Sequence, residues 1–208
     1  MSSYAEIANL AAITIGTAAR LTLPGEDTVL GRAVASVWDI ERLAALREGS
    51  WNFAIKREQL AASDQAPKHQ FSKQFQLPAD CLRLIEVYRL SPNFWQLEGR
   101  RILADHEGAL DIRYLRDVTE PAEFDPQFAY CFALRIASSI GNRIAGSSFN
   151  EETVWRKYRQ ALSEAKRNDA IENPPIEQHE SEWITRRWLG GDLVDRTRID
   201  GFGNGFGY

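Results

Sequence analysis

The fold is decided by residues 51–116, which read WNFAIKREQLAASDQAPKHQFSKQFQLPADCLRLIEVYRLSPNFWQLEGRRILADHEGALDIRYLR. Several short runs in this stretch alternate apolar with polar side chains. At its end, for example, Leu110, Ile112 and Tyr114 alternate with Asp111 and Arg113. A period of two is typical of strands with one buried face. The sequence therefore predicts a β-region here, and helical periodicity resumes on either side of it.

Turns and irregularities can also be placed within this β-region. Residues 51–55 alternate and are predicted to form its first strand, whereas the polar residues 61–69 are predicted to be a loop. Pro78 disfavours helical geometry in the residue before it. Glu98-Gly99-Arg100 separates two extended runs as a hairpin turn does. The apolar face changes at Leu84-Ile85, which predicts a β-bulge, because one extra residue swaps the two faces of a strand.

Two helices are predicted before the β-region. Residues 4–20 carry an apolar stripe, and Ser2 or Ser3 is the predicted N-terminal cap. Residues 28–48 carry a second stripe and end before a glycine, which is typical of helix termination. The predicted inward positions of this second helix are Ala33, Val37, Ile40 and Ala44, with Trp38 beside them.

Two more helices are predicted after the β-region. Asp125-Pro126 has the pattern of a helix start, with an acidic cap before proline at the first position. Ser148 and Glu151 have the spacing of a capping box for a helix over residues 150–170. The apolar stripe of the first of these helices repeats every four residues: Phe128, Phe132, Ile136, Ile140 and Ile144.

Together these segments predict an α+β protein, mainly a bundle of about four helices with an inserted small antiparallel β-sheet and an extended C-terminal tail. Residues 1–50 and 120–171 are assigned to the bundle, 51–119 to the inserted β-region, and 172–208 to the docking tail. This arrangement follows from the order in which the helical and strand periods occur along the chain.

Composition narrows the function classes. The chain has 208 residues and a formal net charge of -4, which provides no general attraction for nucleic acid. Cys81 and Cys131 lie in apolar surroundings without CxxC spacing, so two buried free thiols are favoured over a disulfide. No signal-peptide pattern and no apolar run long enough for a bilayer are apparent. We therefore expect a protein that stays in a cytoplasm-like compartment or is packed from there into a particle.

No pattern in the sequence predicts an active site, a metal site or a cofactor. His69, His106 and His179 fall in three separate segments without metal-ligand spacing. Glu151-Glu152 is better explained as a pair of acids complementing a helix dipole. The glycine-rich end, residues 201–208, lacks both the GxGxxG spacing and a following helix. A structural or interaction protein, not an enzyme, is therefore predicted.

The last 37 residues, 172–208, show neither a helical nor a strand period. Ordering each residue costs roughly 1–2 kcal/mol of backbone entropy. Burial of the five aromatic side chains contributes at most roughly 25 kcal/mol in total. We therefore predict that much of this tail is disordered in a free monomer and folds on a partner. Its predicted docking residues are Trp183, Arg186, Arg187, Trp188, Phe202, Phe206 and Tyr208.

A series of short motifs over residues 4–170 resembles, in order, the tail tubular protein A family, the head–tail adaptors of short-tailed bacteriophages. Each motif is short, and the resemblance is carried by their order. The motifs are Ile7-Ala8-Asn9-Leu10-Ala11, Gly49-Ser50-Trp51-Asn52-Phe53-Ala54, Leu77-Pro78-Ala79-Asp80-Cys81-Leu82-Arg83, Trp95 with Glu98-Gly99, Ile112-Arg113-Tyr114 with Val118-Thr119, and Asp125-Pro126-Gln127-Phe128.

This resemblance implies a virion protein at the head–tail junction, present in the host cytoplasm during assembly. Twelve copies would form a ring under the portal protein, extend the DNA channel and provide a platform for the tail nozzle or the next tail component. The helical part would build the ring, the β-region would project, and the C-terminal segment would reach the portal or a neighbouring subunit. Double-stranded DNA would pass without sequence-specific binding. Neither a cofactor nor a membrane is implied.

Three alternatives stay open. One is a connector of a long-tailed phage or phage-derived particle, with the same ring but another downstream partner. Another is a nucleic-acid-binding virion accessory protein, for which salt-sensitive DNA affinity of the isolated monomer would be the sign. The third is a hydrolase, favoured only if a cleft gathers carboxylates that are distant in sequence. The basic residues of the accessory-protein alternative are Arg186, Arg187, Arg196 and Arg198.

Overall fold

A computed structural model describes residues 2–172, which belong to one compact unit. Helices precede and follow a strand-rich middle, so the predicted α+β class is confirmed. The helices are α1 (Tyr4–Ile15), α2 (Val29–Glu48), α3 (Pro126–Ala145) and α4 (Glu151–Glu172). The strands are β1 (Ile55–Leu60), β2 (Lys73–Gln76), β3 (Cys81–Val87), β4 (Trp95–Glu98), β5 (Arg101–Ala104) and β6 (Leu110–Arg116).

The strands form two three-stranded antiparallel sheets, where the sequence predicted a single small one. The first sheet has the order β1-β6-β3, and the second has the order β2-β5-β4. The predicted hairpin is confirmed, because β4 and β5 pair across a turn in which Gly99 has a φ of +57°. The predicted bulge is also confirmed, because the register of β3 against β6 shifts between Leu84 and Glu86.

The prediction of a strand over residues 51–55 is wrong. Asn52–Ala54 form a single 3-10 turn, and β1 begins only at Ile55. Trp51 is buried, and its Nε1 donates a hydrogen bond of 3.2 Å to the carbonyl oxygen of Ala45 at the end of α2. Trp51 thus belongs to the helical core, and the tight turn after it redirects the chain into the first sheet.

The first two helices differ from their predicted extent and orientation. Ser3 caps α1 through a capping box with Glu6, but α1 ends at Ile15 because Gly16 adopts a left-handed φ of +85°. In α2 the predicted inward position Ile40 is wrong, since this side chain is 71% exposed. The buried stripe of α2 passes instead through Leu30, Ala33, Val34, Trp38, Arg42, Ala45 and Leu46.

The last helix begins differently from its predicted capping box. The Oδ1 of Asn150 accepts a hydrogen bond of 2.9 Å from the backbone N–H of Thr153. Ser148 instead donates its hydroxyl to the carbonyl oxygen of Ala145, 2.7 Å away. Asn150 is therefore the capping side chain, and α4 runs from the next residue.

Helix α3 is central to the bundle, because it packs against each of the other three helices. Its predicted stripe is confirmed at Phe128, Phe132, Ile136 and Ile140, which are buried. A second core lies between the sheets, around Phe75, Ile102, Leu110 and Tyr114. Both cysteines are buried and free, as predicted. In residues 2–172, no helix combines the length and apolar character that a bilayer crossing requires.

Candidate functional site

All seven predicted docking residues, and the tail to which they belong, lie outside the described residues. A candidate functional site must therefore be sought on residues 2–172. Three features stand out there: the polar network that orients α4, the basic surface that α4 presents, and the apolar side chains exposed on the helices. No group of three or more histidines, cysteines and acids within that range is arranged to hold a metal ion.

Arg135 of α3 links three helices through a largely buried polar network. Its Nε lies 2.5 Å from Oε2 of Glu41 on α2, and its Nη1 forms an ion pair with Glu48 at the end of α2. The same Nη1 donates a hydrogen bond of 3.0 Å to the hydroxyl of Tyr158 on α4. That hydroxyl in turn donates to Oε2 of Glu48 over 2.8 Å. Helices α2 and α4 are thereby held in register against α3.

Burial sets the protonation of this network. It raises the pKa of the Tyr158 hydroxyl well above its ordinary value, and the hydrogen bond to Glu48 raises it further. Burial alone would lower the pKa of Arg135. The hydrogen bonds to Tyr158 and Glu41 outweigh this effect, so the pKa of Arg135 is raised above its ordinary value. The network therefore keeps a neutral phenol and a charged guanidinium at every physiological pH.

The C-terminal turns of α4 are fastened separately. The Oδ1 of Asp169 accepts the backbone N–H of Asn52 over 2.8 Å, and the side-chain amide of Asn52 donates to the carbonyl oxygen of Asp169 over 2.8 Å. Asn168, the residue before Asp169, donates its side-chain amide to Oε1 of Gln127 over 3.0 Å. These contacts, with the buried Val154 and the network at Tyr158, determine which side of α4 faces solvent.

The solvent side of α4 is strongly basic. We call the set Arg156, Arg159, Lys166 and Arg167 the α4 basic face. Counted at about 100° per residue from the buried Tyr158, these four lie about 80–180° around the helix in one direction, whereas the exposed Lys157 lies about 100° in the other. All four are exposed. None makes an ion pair within the described range, although Arg42, Arg116 and Arg135 do.

A groove of about 400 Å³ continues this basic surface towards the first sheet. Lys166 lines it together with Arg83 and Arg113, while Glu48 and Asp169 contribute acids. The Nε of Arg113 lies 3.3 Å from Oε2 of Glu86, so this cation already has an acidic partner. Glu48 is likewise engaged by Arg135, which leaves the cations of Lys166 and Arg83 with one acid, Asp169, among the groove-lining residues. We refer to it as the junction groove.

Large apolar side chains are exposed on the helices. On α2, Val29 is 62% and Ile40 is 71% exposed. Eleven residues separate them, which is close to three turns and places them on one face of α2. Ile13 on α1 is 57% exposed. Exposed apolar positions of this kind are typical of protein–protein contact surfaces when they share a face.

Besides Glu48 and Asp169 in the junction groove, carboxylates distant in sequence also meet at the edge of the first sheet. The hydroxyl of the buried Tyr114 lies 2.9 Å from Oε2 of Glu58 and 2.9 Å from Oδ1 of Asp80. The Nζ of Lys56 is 3.3 Å from Glu58 and 3.4 Å from Asp80. Both acids are thus tied to neighbouring side chains, and neither lines the junction groove. This cluster connects β1 and β6 with the turn before β3.

Comparison with known proteins adds no relative. No protein-family model matches the chain, and no curated protein is similar to it at a significant level. The case for a function therefore depends on the residues themselves.

Sequence reasoning had predicted a helix over residues 150–170. It did not recognise the α4 basic face. The sequence pattern that predicts this face is the spacing of four cations along one side of α4. The acids of α4 lie mainly on other sides of the helix, and Glu152 in the first turn is the exception.

Proposed function

We propose that this protein is a structural head-to-tail adaptor, or connector, of a bacteriophage. In this proposal twelve copies form a ring under the portal protein, extend the DNA channel and provide the attachment platform for the tail. The protein would act at the head–tail junction of the virion, without enzymatic activity. The ordered motifs over residues 4–170 support this proposal, and so does the α+β architecture in which a β-region interrupts a helical bundle.

The observation that carries most of this proposal is the exposed apolar face of α2. Val29 and Ile40 lie opposite the stripe that packs into the bundle, so both side chains are available for contact with a neighbouring subunit. Burying an exposed isoleucine or valine side chain in a subunit contact contributes about 1.5–3 kcal/mol. Summed over the contacts of a ring, such side chains favour assembly through helix faces.

The β-region supplies a different surface in this proposal. Among the described strands, β4 pairs only with β5 and forms an edge of the second sheet. Leu97 within this strand is 43% exposed, and Phe94 directly before it is 61% exposed. An edge strand with apolar side chains is suited to contact with another protein. We propose that the next tail component binds here.

Native mass spectrometry of the full chain tests the adaptor proposal, alone and mixed with the portal protein of the same particle. A monomer that becomes a twelve-copy complex on the portal is the expected result. Ile40→Lys should abolish the ring, because a charge would be placed at the subunit contact. Leu97→Lys is the matched control, and it should leave the ring intact because Leu97 lies in the β-region.

Two results would contradict the proposal. A chain that stays monomeric beside the portal protein would exclude the adaptor role. A ring that forms equally well with Ile40→Lys would exclude α2 as its contact. A long-tailed phage connector would also form the ring, so this alternative is distinguished by the tail protein that binds next.

A second candidate function is a nucleic-acid-binding virion accessory protein. The α4 basic face favours it, because phosphate groups bind surfaces where arginine and lysine side chains lack acidic partners. Salt-sensitive DNA binding by the free chain, without assembly on the portal, would favour this candidate over the adaptor.

A further inference from the structure

The most unusual surface of the described chain is the α4 basic face with the adjoining junction groove. The protein has a formal net charge of -4, yet four neighbouring cations on α4 have no acidic partner within residues 2–172. Elsewhere in the same range, Arg32, Arg42, Arg113, Arg116 and Arg135 all form ion pairs. The α4 basic face therefore places four cations without an acidic partner on one side of a single helix.

We propose that the α4 basic face binds the phosphate backbone of double-stranded DNA. Arg156 and Arg167 are eleven residues apart, so the face extends about 16 Å along the helix. A DNA strand carries one charge about every 3.4 Å of helix axis, so several phosphates lie within that length. The binding does not depend on the adaptor function, and it assigns DNA contact to specific residues.

Side chains between the cations fit the same ligand. Gln160 and Ser163 lie on the same side of α4 and are exposed. Amide and hydroxyl groups are common donors to phosphate oxygens and read no base sequence. Trp155, which is 40% exposed, lies at the border of the face. The polar side chains of this surface are thus of the kinds that contact the DNA phosphate backbone without reading the base sequence.

The junction groove extends the same surface at the C-terminal end of α4. Lys166 belongs to both, and Arg83 and Arg113 line the groove with it. Arg83 is held in place by hydrogen bonds of 2.8 Å from its Nη2 to the carbonyl oxygen of Gly49 and to Oγ of Ser50. A fixed guanidinium loses little conformational entropy when a phosphate binds. The groove therefore marks the direction in which the DNA strand continues.

The test uses the full chain and a fluorescein-labelled 30-base-pair duplex, with binding followed by anisotropy at several salt concentrations. Non-specific binding with a Kd of about 10⁻⁴–10⁻⁶ M is expected. If all four cations contact phosphates, the slope of log K against log salt is about -3.6. A change from 50 to 200 mM salt then weakens binding about 150-fold.

Two matched variants locate the binding surface, each replacing four exposed cations by glutamine. The face variant should weaken binding at 50 mM salt more than tenfold and flatten the slope, whereas the control should change binding less than threefold. The face variant is Arg156→Gln, Arg159→Gln, Lys166→Gln and Arg167→Gln. The control is Arg47→Gln, Arg57→Gln, Lys68→Gln and Lys73→Gln, all exposed positions outside α4.

Several outcomes would overturn the proposal. The proposal is overturned if the wild-type chain shows no measurable DNA binding at 50 mM salt. It is also overturned if both variants lose the same DNA affinity, because net charge alone would then explain the loss. Binding of poly-glutamate in preference to the duplex would reassign the face to an acidic protein partner or to the acids of the C-terminal segment. Thermal melts of both variants check that neither set of substitutions unfolds the chain. If the α4 basic face does not bind DNA, the adaptor proposal still stands, because assembly on the portal protein is measured separately.

Discussion

Replacement of Arg135 by methionine tests whether the polar network at the centre of the bundle stabilises the fold. Arg135→Met keeps an apolar side chain of similar length, so no large cavity is created. It removes the contacts to Glu41, Glu48 and Tyr158 together. The carboxylates of Glu41 and Glu48 would then lose the cation that both contact.

The expected loss follows from how deeply these groups are buried. Arg135 and Glu41 are only 16% and 17% exposed in their side chains, whereas Glu48 is 32% exposed. Removing one partner of a fully buried ion pair costs about 3–5 kcal/mol. The partial exposure of Glu48 reduces this figure, so we expect a loss of about 2–4 kcal/mol. For a domain of this size, that corresponds to a Tm lower by roughly 4–16 °C.

The assay is urea unfolding at pH 7 followed by circular dichroism, with Arg143→Met as the matched control. Arg143 lies exposed in the last turn of the same helix, and its loss should cost less than about 1 kcal/mol. A double-mutant cycle with Glu41→Gln should give a coupling energy of about 1 kcal/mol or more. A loss below 1 kcal/mol for Arg135→Met, with no coupling to Glu41, would refute the reasoning.

Three further predictions concern other contacts. Gly141→Ala should stabilise α3 by about 1 kcal/mol through helix propensity, but the added Cβ would lie 2.2 Å from Cζ of Phe149. Because this clash outweighs the gain, thermal melts should show a net loss of stability of about 1–2 kcal/mol. A raised Tm would contradict this prediction. Burial raises the pKa of Cys131 to about 11 from an ordinary 9.0, so the folded state binds the proton more tightly. Unfolding free energy should therefore fall as the pH rises from about 9 to about 11, and the slope should be shallower in Cys131→Ala. Asp169→Ala removes the oxygen that accepts the backbone N–H of Asn52. The protein should lose about 1–2 kcal/mol of stability, and hydrogen exchange at this backbone N–H should become faster. Asp169→Asn keeps an accepting oxygen and should change both quantities little.

Much of the fold could be predicted because several signals are local. Asp125 accepts hydrogen bonds from the first backbone N–H groups of α3, and Pro126 follows it, as the pair predicted. Gly99 occupies a left-handed turn that few other residues adopt easily. The errors arose where distant contacts decide. Trp51 alternates with its neighbours like a strand residue, but its indole is buried against the end of α2. The exposure of Ile40 likewise follows from which face of α2 meets α3.

The candidate site was less predictable, for a related reason. A sequence shows which residues are charged but not which charges are neutralised by a partner. Arg42 pairs with Asp117, 75 residues away, and Arg135 pairs with Glu41, 94 residues away. Arg156 and Arg167 look no different from these arginines in the sequence, yet they lack such partners within residues 2–172. The basic face emerges only after the chain has folded.

The 94 residues between Glu41 and Arg135 have a consequence for how the chain folds. Helices α3 and α4 are neighbours in sequence and can associate as a local hairpin, but α2 joins them only after the whole β-region has been looped out. Closing a loop of that length costs about 4 kcal/mol of chain entropy beyond a constant. We therefore expect docking of α2 to belong to the slow step of folding. Because each doubling of loop length adds only about 0.6 kcal/mol, the same bundle can accept a much longer or shorter insert with little change in its stability.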